Sequence, residues 1–110
     1  MQGTVAYTAS KHAVHGITKA SALEARKHNI RVNAVSPGFL LTDMVKGPLI
    51  EQGGILGQEL WKKFEDRQGR SAVFEEVGDV VVLISTPRMS LVNGQNLFID
   101  GGFTINEGFT

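Results

Sequence analysis

Tyr7 and Lys11 stand four residues apart in the stretch AYTASKHAVHGITKA, which runs from Ala6 to Ala20. On a helix that spacing sets the phenol and the ammonium on one face, a single turn apart. The chemistry such a pair offers is proton transfer. A free phenol titrates near pH 10 and is a poor base at neutrality, and an ammonium within a turn of it favours the ionised form. Spacing alone does not settle the matter, because tyrosine and lysine at i and i+4 also occur in helices that do no chemistry. Metal chemistry is not expected. His12 and His15 are three residues apart with no nearby carboxylate, His28 stands apart from them, and a chain without cysteine has neither a thiolate zinc site nor a disulfide.

The elements that must position this pair follow from periodicity. A helix is expected from about Ala6 to His28, with Ala9, Ala13, Gly16 or Ile17, Ala20 and Leu23 forming a stripe of small apolar residues for close approach of another backbone. Gly16 reads as a mark of tight packing there. Tyr7 and Lys11 share a face that Thr18 continues, while His15 and Lys19 lie towards the polar side. The segment IRVNAVSPG reads as a short buried strand from Ile30 to Val35, closed by the turn Ser36-Pro37-Gly38. A helix leading straight into such a strand is half of an α/β unit.

From Phe39 to Gly57 the glycines at 47, 53, 54 and 57 predict a mobile loop or lid with one helical turn at most. A helix of about ten residues follows, on which Leu56, Leu60 and Phe64 align with Trp61 beside them, ending at Gly69. The next helix buries Val77, Val80, Val81 and Ile84, carries Glu75 and Glu76 at its positive N-terminus and is stopped by Pro87. A turn at Asn93-Gly94 leads to a last strand from Asn96 to Ile99, broken by Gly101 and Gly102.

Composition bounds the function classes. With 42% hydrophobic and 20% charged residues, the 110-residue chain is a globular protein of one domain at most. Net formal charge is zero. Five basic against one acidic side chain within residues 1–31 is too modest an excess for a nucleic-acid surface, and reads as a solvated helix face. No apolar run reaches the roughly eighteen residues that span a bilayer, so no membrane partner is expected, and a cytoplasmic location suits a cysteine-free chain.

Three segments, taken together, resemble one family. AYTASKHAVHGITKA is similar to the active-site helix of the short-chain dehydrogenases/reductases, IRVNAVSPGFLLTDM follows at the spacing usual there, and VNGQNLFIDGG closes the chain like the family's last core strand. The resemblance covers essentially the whole chain. It implies a Rossmann-like α/β fold, here the C-terminal half of one: a short parallel sheet with packed helices, residues 1–110 forming a single partial domain and 39–64 falling in the variable substrate loop.

It also implies roles. Tyr7 matches the general acid or base that exchanges a proton with a carbonyl or secondary alcohol oxygen. Lys11 matches the lysine that binds the nicotinamide ribose hydroxyls and lowers the tyrosine's pKa. Pro37 and Gly38 match the turn beside the nicotinamide ring, Phe39 a position whose backbone meets the carboxamide, and Thr42 a threonine that approaches carboxamide and phosphates. Phe39, Leu40, Trp61 and Phe64 are the expected apolar lining for a small carbonyl or alcohol substrate.

The parent activity implied is NAD- or NADP-dependent oxidoreduction. The family's glycine-rich phosphate turn, its cofactor selector, its strand asparagine and its catalytic serine have no counterpart here, Ser10 and Ser36 being poor substitutes by position. No cofactor is therefore expected on the isolated chain, and its core is expected to be completed by a homo-oligomer or by a complementary N-terminal half. Val82, Leu83, Leu97 and Phe98 are the interface candidates. Competing expectations are a cofactor-independent isomerase, dehydratase or cyclase, and a non-catalytic binding or oligomeric protein.

Overall fold

A computed structural model describes residues 4–38 and 43–105. Its elements are helix α1 (Thr4–Ala25), strand β1 (Ala34–Pro37), helix α2 (Asp43–Gln68), helix α3 (Phe74–Ile84) and strand β2 (Asn96–Ile99). Short 3-10 turns follow α1 at Arg26–His28, α3 at Pro87–Met89 and β2 at Phe103–Ile105. β1 and β2 form a two-stranded sheet. The Ala34 N–H donates to Gln95 O and the Gly38 N–H to Ile99 O, at 2.8 and 2.9 Å. The offset is the same at both ends, which makes the pair parallel. This is the expected α/β arrangement, and β2, α3 and the Asn93-Gly94 turn lie where the sequence predicts them.

The chain comprises two compact units. One is built from the residues up to Val35 together with Val82–Leu97, the other from Ser36–Val81 together with the chain from Phe98 onward.

In the first unit α1 is turned opposite to the expected direction. Thr18 and Ala22 are its buried positions, with His15, Ser21 and Ala25 half-buried, whereas Ala9, Ala13, Gly16, Ile17, Ala20 and Leu23 are all exposed. A Cβ added at Gly16 would meet nothing within 4 Å, so this glycine does not mark close packing within the chain. The inward stripe is small and partly polar, and two of its polar groups are bonded: Thr18 Oγ1 donates to Val14 O at 2.8 Å, and His15 Nε2 lies 2.8 Å from Asn96 Nδ2. His15 thus belongs to the packed face, not to the polar side.

β1 begins later than expected, and Ile30 is exposed. The backbone before it is committed elsewhere. The Val32 N–H donates to Asn93 Oδ1 at 2.9 Å, and Val32 O accepts from the Gly94 N–H at 2.8 Å. Arg31 donates through its two terminal nitrogens to Val92 O and Thr86 O, and Asn33 Nδ2 donates to Val92 O. Asn93 Nδ2 reaches back to Ala22 O on α1 at 3.2 Å. Side chains from the approach to both strands therefore tie helix to sheet before the ladder starts.

In the second unit the expected loop is helical from Asp43 onward. α2 runs to Gln68 with a kink at Gly54, whose φ of 54° and ψ of −129° suit only glycine. Gly57, Trp61 and Gln68 are buried, with Phe64 and Glu65 half-buried between them, a face one position round from the predicted Leu56-Leu60-Phe64 line. Leu60 is 42% exposed. Glycine costs about 1 kcal/mol per helical position, but packing around a large aromatic outweighs that for this segment. α3 buries Ile84, half-buries Val77 and Val80 and leaves Val81 exposed. Glu76, at the third helical position, accepts from the Val73 N–H at 3.1 Å, which closes the first turn.

Candidate active site

Tyr7 and Lys11 project from the first two turns of α1, in the first unit. The Lys11 ammonium lies 5.4 Å from the centroid of the Tyr7 ring. Tyr7 is 63% exposed and Lys11 is exposed, so both groups are open to a reactant. Their helical stripe is the one on which Thr18 and Ala22 are buried further along, as the periodicity predicts for Thr18. The free end of a packed face thus carries Tyr7 and Lys11. Ser10 is a helix-surface residue whose hydroxyl donates to Tyr7 O at 2.7 Å, and His12 Nδ1 donates to Thr8 O at 2.9 Å.

Pro37 and Gly38 belong to the second unit, at the end of β1. Pro37 is exposed and Gly38 half-buried. Gly38 is a close-approach glycine: a Cβ there would fall on Gln68 Oε1 and within 2.7 Å of the Asp100 main chain. Trp61 is only 5% exposed. Phe64 is half-buried and packs on Phe103 with ring centroids 5.9 Å apart, and the Arg67 guanidinium stands 4.5 Å from the other ring's centroid. Phe39, Leu40 and Thr42 lie outside the described residues.

Among the described residues no buried side-chain polar atom lacks a hydrogen-bond partner. Asp100 is buried; burial raises its carboxyl, but bonds from the Thr104 hydroxyl and N–H and from the Gly102 N–H outweigh that and hold it below its usual value. Arg70 grips both oxygens of Glu76 at 2.7 Å, which brings that carboxyl down to about 2. Ser71 donates to Glu65 at 2.8 Å. A half-open cavity of about 230 Å³ is lined by Gln68, Arg70, Glu76, Phe98, Asp100 and Gly101, among others. Among the described residues no three His, Asp or Glu side chains gather as a metal site, and no helix is long and apolar enough to cross a membrane.

Sequence reasoning missed Gln68, Arg31 and the Arg70–Glu76 clamp, and took Asn93 only as a turn residue. A buried glutamine at a helix end carries no local signal. Asn93 did carry one, since an asparagine before glycine is often fixed by its own side chain as well as by the turn.

The profile of the family described as Enoyl-(Acyl carrier protein) reductase matches residues 1–104. A short-chain dehydrogenase of Aspergillus ruber, fogB, is 43% identical over 103 residues, which are 94% of this chain and 37% of that protein. An NAD-dependent glycerol dehydrogenase of Listeria innocua is 39% identical over 101 residues, 92% of this chain and 38% of that one. The chain therefore spans little more than a third of the length of the curated relatives it matches.

Among solved structures, a short-chain dehydrogenase family protein from Francisella tularensis superposes with a TM-score of 0.80 at 32% identity, over 96% of this chain and 46% of that one. The F189W actinorhodin polyketide ketoreductase with NADPH does so at 0.77 and 31% identity, over 94% and 41%. The family match over residues 1–104 and these identities over more than nine-tenths of the chain fix the relationship: the chain belongs to the short-chain dehydrogenase/reductase family and corresponds to the C-terminal portion of its longer members.

Proposed function

We propose that these residues are the proton-handling and substrate-side portion of an NAD(P)-dependent oxidoreductase that interconverts a small carbonyl compound and a secondary alcohol. The observation that carries the proposal is the Lys11 ammonium 5.4 Å from the ring of an exposed Tyr7. The phenol is the group that gives a proton to, or takes one from, the substrate oxygen.

A dinucleotide fits the residues present on its nicotinamide side, where an exposed ammonium suits ribose hydroxyls. Pro37, Gly38, Phe39 and Thr42 would line that side. When bound, the nicotinamide supplies or accepts hydride. This chain's own part is to hold and move the proton at the Tyr7 oxygen, orient the ribose through Lys11 and enclose the substrate with Phe39, Leu40, Trp61 and Phe64.

The similarity to an NAD-dependent dehydrogenase and to a ketoreductase crystallised with NADPH supports the redox class, with NAD or NADP as its dinucleotide. These 110 residues contain no glycine-rich turn for a pyrophosphate, so alone they hold dinucleotide weakly. The exposed apolar side chains of α1, among them Val5, Ile17 and Leu23, are the surface on which a second copy or a complementary N-terminal half packs. Val82, Leu83 and Phe98, each more than half exposed, are further apolar side chains available to a partner.

The test is a chimera in which these residues replace the matching stretch of the Aspergillus ruber relative. Saturable oxidation of NADH or NADPH with a carbonyl substrate is expected, with loss on Tyr7→Phe. A folded chimera that turns over equally well without the phenol would sink the proposal. For the isolated chain, saturable nicotinamide fluorescence at micromolar concentration would overturn the expectation of weak binding.

A further inference from the structure

We infer that Gln68 is a positioning residue that clamps the base of the substrate segment to the Pro37-Gly38 turn. The inference rests on the proposed role of that turn beside the nicotinamide. Gln68 ends α2 and is 5% exposed. Its two halves close on two different glycines. A Cβ at Gly38, after β1, would fall on the Gln68 side-chain oxygen, and a Cβ at Gly101, after β2, would fall on the Gln68 main-chain oxygen. Gly101 also has a φ of 58°, so both its conformation and its surroundings exclude a side chain.

The Gln68 amide nitrogen is turned the other way and donates to Arg70 O at 2.9 Å. Arg70 is in turn fixed on both oxygens of Glu76 at the start of α3. The glutamine therefore joins the end of α2, the turns after both strands and the entry to α3.

A side chain of this length, packed against Gly38 and carrying a donor for Arg70 O, is what the place requires. An aliphatic residue of similar size fills the volume but leaves Arg70 O without this donor. A shorter one releases the Gly38 turn. Gln68 ends α2 beside that turn, so the clamp sets where the substrate segment is anchored without touching substrate.

Amide hydrogen exchange on the folded chain tests this with no need of dinucleotide or turnover, so its outcome is separate from that of the chimera. For Gln68→Ala, the Gly38 amide, which bonds to Ile99 O, is expected to exchange about tenfold faster. The Ala34 amide, at the other end of the same strand, is expected to keep its rate. Uniform acceleration of both amides would overturn the inference, because it would mean general loss of stability.

The Gln68→Glu variant guards against an Ala variant that does not fold. Its buried carboxylate lacks the donor at neutral pH and regains one when protonated, so the Gly38 rate should return towards that of the parent as the pH is lowered through the carboxyl range. Parent-like exchange in this variant at neutral pH would also overturn the inference. So would failure of both variants to fold, which would make Gln68 an ordinary core residue.

Discussion

The Lys11 ammonium stands 5.4 Å from the centre of the Tyr7 ring, one helical turn along α1. Both side chains lie on the stripe whose continuation buries Thr18 and Ala22. In the chimera, Tyr7→Phe is expected to lower kcat by about 10²- to 10⁴-fold, the range typical of a lost general acid or base. Lys11→Met should lower kcat as well and raise the KM for dinucleotide, since the ammonium is proposed both to orient the ribose and to support the phenol. Steady-state kinetics separate the two effects. An unchanged dinucleotide KM in the lysine variant would remove the ribose role.

Asn93 is the knot of the first unit. Its oxygen accepts from the Val32 N–H and its nitrogen donates to Ala22 O, joining α1, the approach to β1 and the approach to β2. Asn93→Ala leaves both main-chain groups without those bonds in a part-buried place. The expected loss is about 1–3 kcal/mol, read as a lower urea midpoint of the helical circular dichroism signal. Asn93→Asp keeps the acceptor and loses the donor, so its midpoint should fall between the parent and Asn93→Ala.

Two glycines should respond in opposite directions to alanine. Gly16 lies in the exposed middle of α1 with nothing within 4 Å of an added Cβ, so Gly16→Ala is expected to stabilise the isolated chain by about 0.5–1 kcal/mol. At Gly101 the added Cβ meets the Gln68 main chain in a left-handed conformation, so Gly101→Ala should destabilise by more than about 1 kcal/mol. Thermal melts decide both. If Gly16→Ala is instead destabilising, a partner occupies that face of α1 under the conditions of the melt, and the solution mass should exceed the 11.9 kDa of one copy.

Glu76 gives the fold a pH dependence of definite sign. Hydrogen bonds from Arg70, then from the Val73 N–H, bring its carboxyl from an ordinary 4.5 down to about 2. A depressed folded value means that the contribution is complete above about pH 4.5 and is lost as the pH falls towards 2. The pair is open to solvent and modest in energy, so the effect should be small and reduced by salt. Glu76→Gln is expected to flatten the acid limb of a stability profile over that window. Asp100, also held below its usual value, leaves a residual slope of the same sign. Coincident acid limbs for parent and variant would show that the clamp carries no proton-linked stability.

Much of the architecture was legible because it is local. The spacing of Tyr7 and Lys11, the bounds of α3 between its acidic first turn and Pro87, the Asn93-Gly94 turn and β2 between that turn and Gly101 each depend on residues within a few positions of one another. The family likeness is of the same kind, being carried by three short segments. The face that α1 turns inward was not legible, because it is chosen by Asn96 and Asn93, which lie 81 and 71 residues from the helix positions they bind. An apolar stripe states only that some surface must cover it, and here the chain's own surface covers the opposite, hydrogen-bonded stripe.

The helicity from Asp43 was hidden for a related reason: glycine content argues against a helix, and only the burial of Trp61 and Gln68 shows what holds its second half in place. The amino acids alone therefore determined the one-turn spacing of Tyr7 and Lys11 and the places of α3 and β2, since those follow from side-chain chemistry and short-range periodicity. Tertiary structure alone decided which faces are buried, where β1 begins and that Gln68 closes on two glycine turns, since each requires backbone groups far apart in the chain to meet.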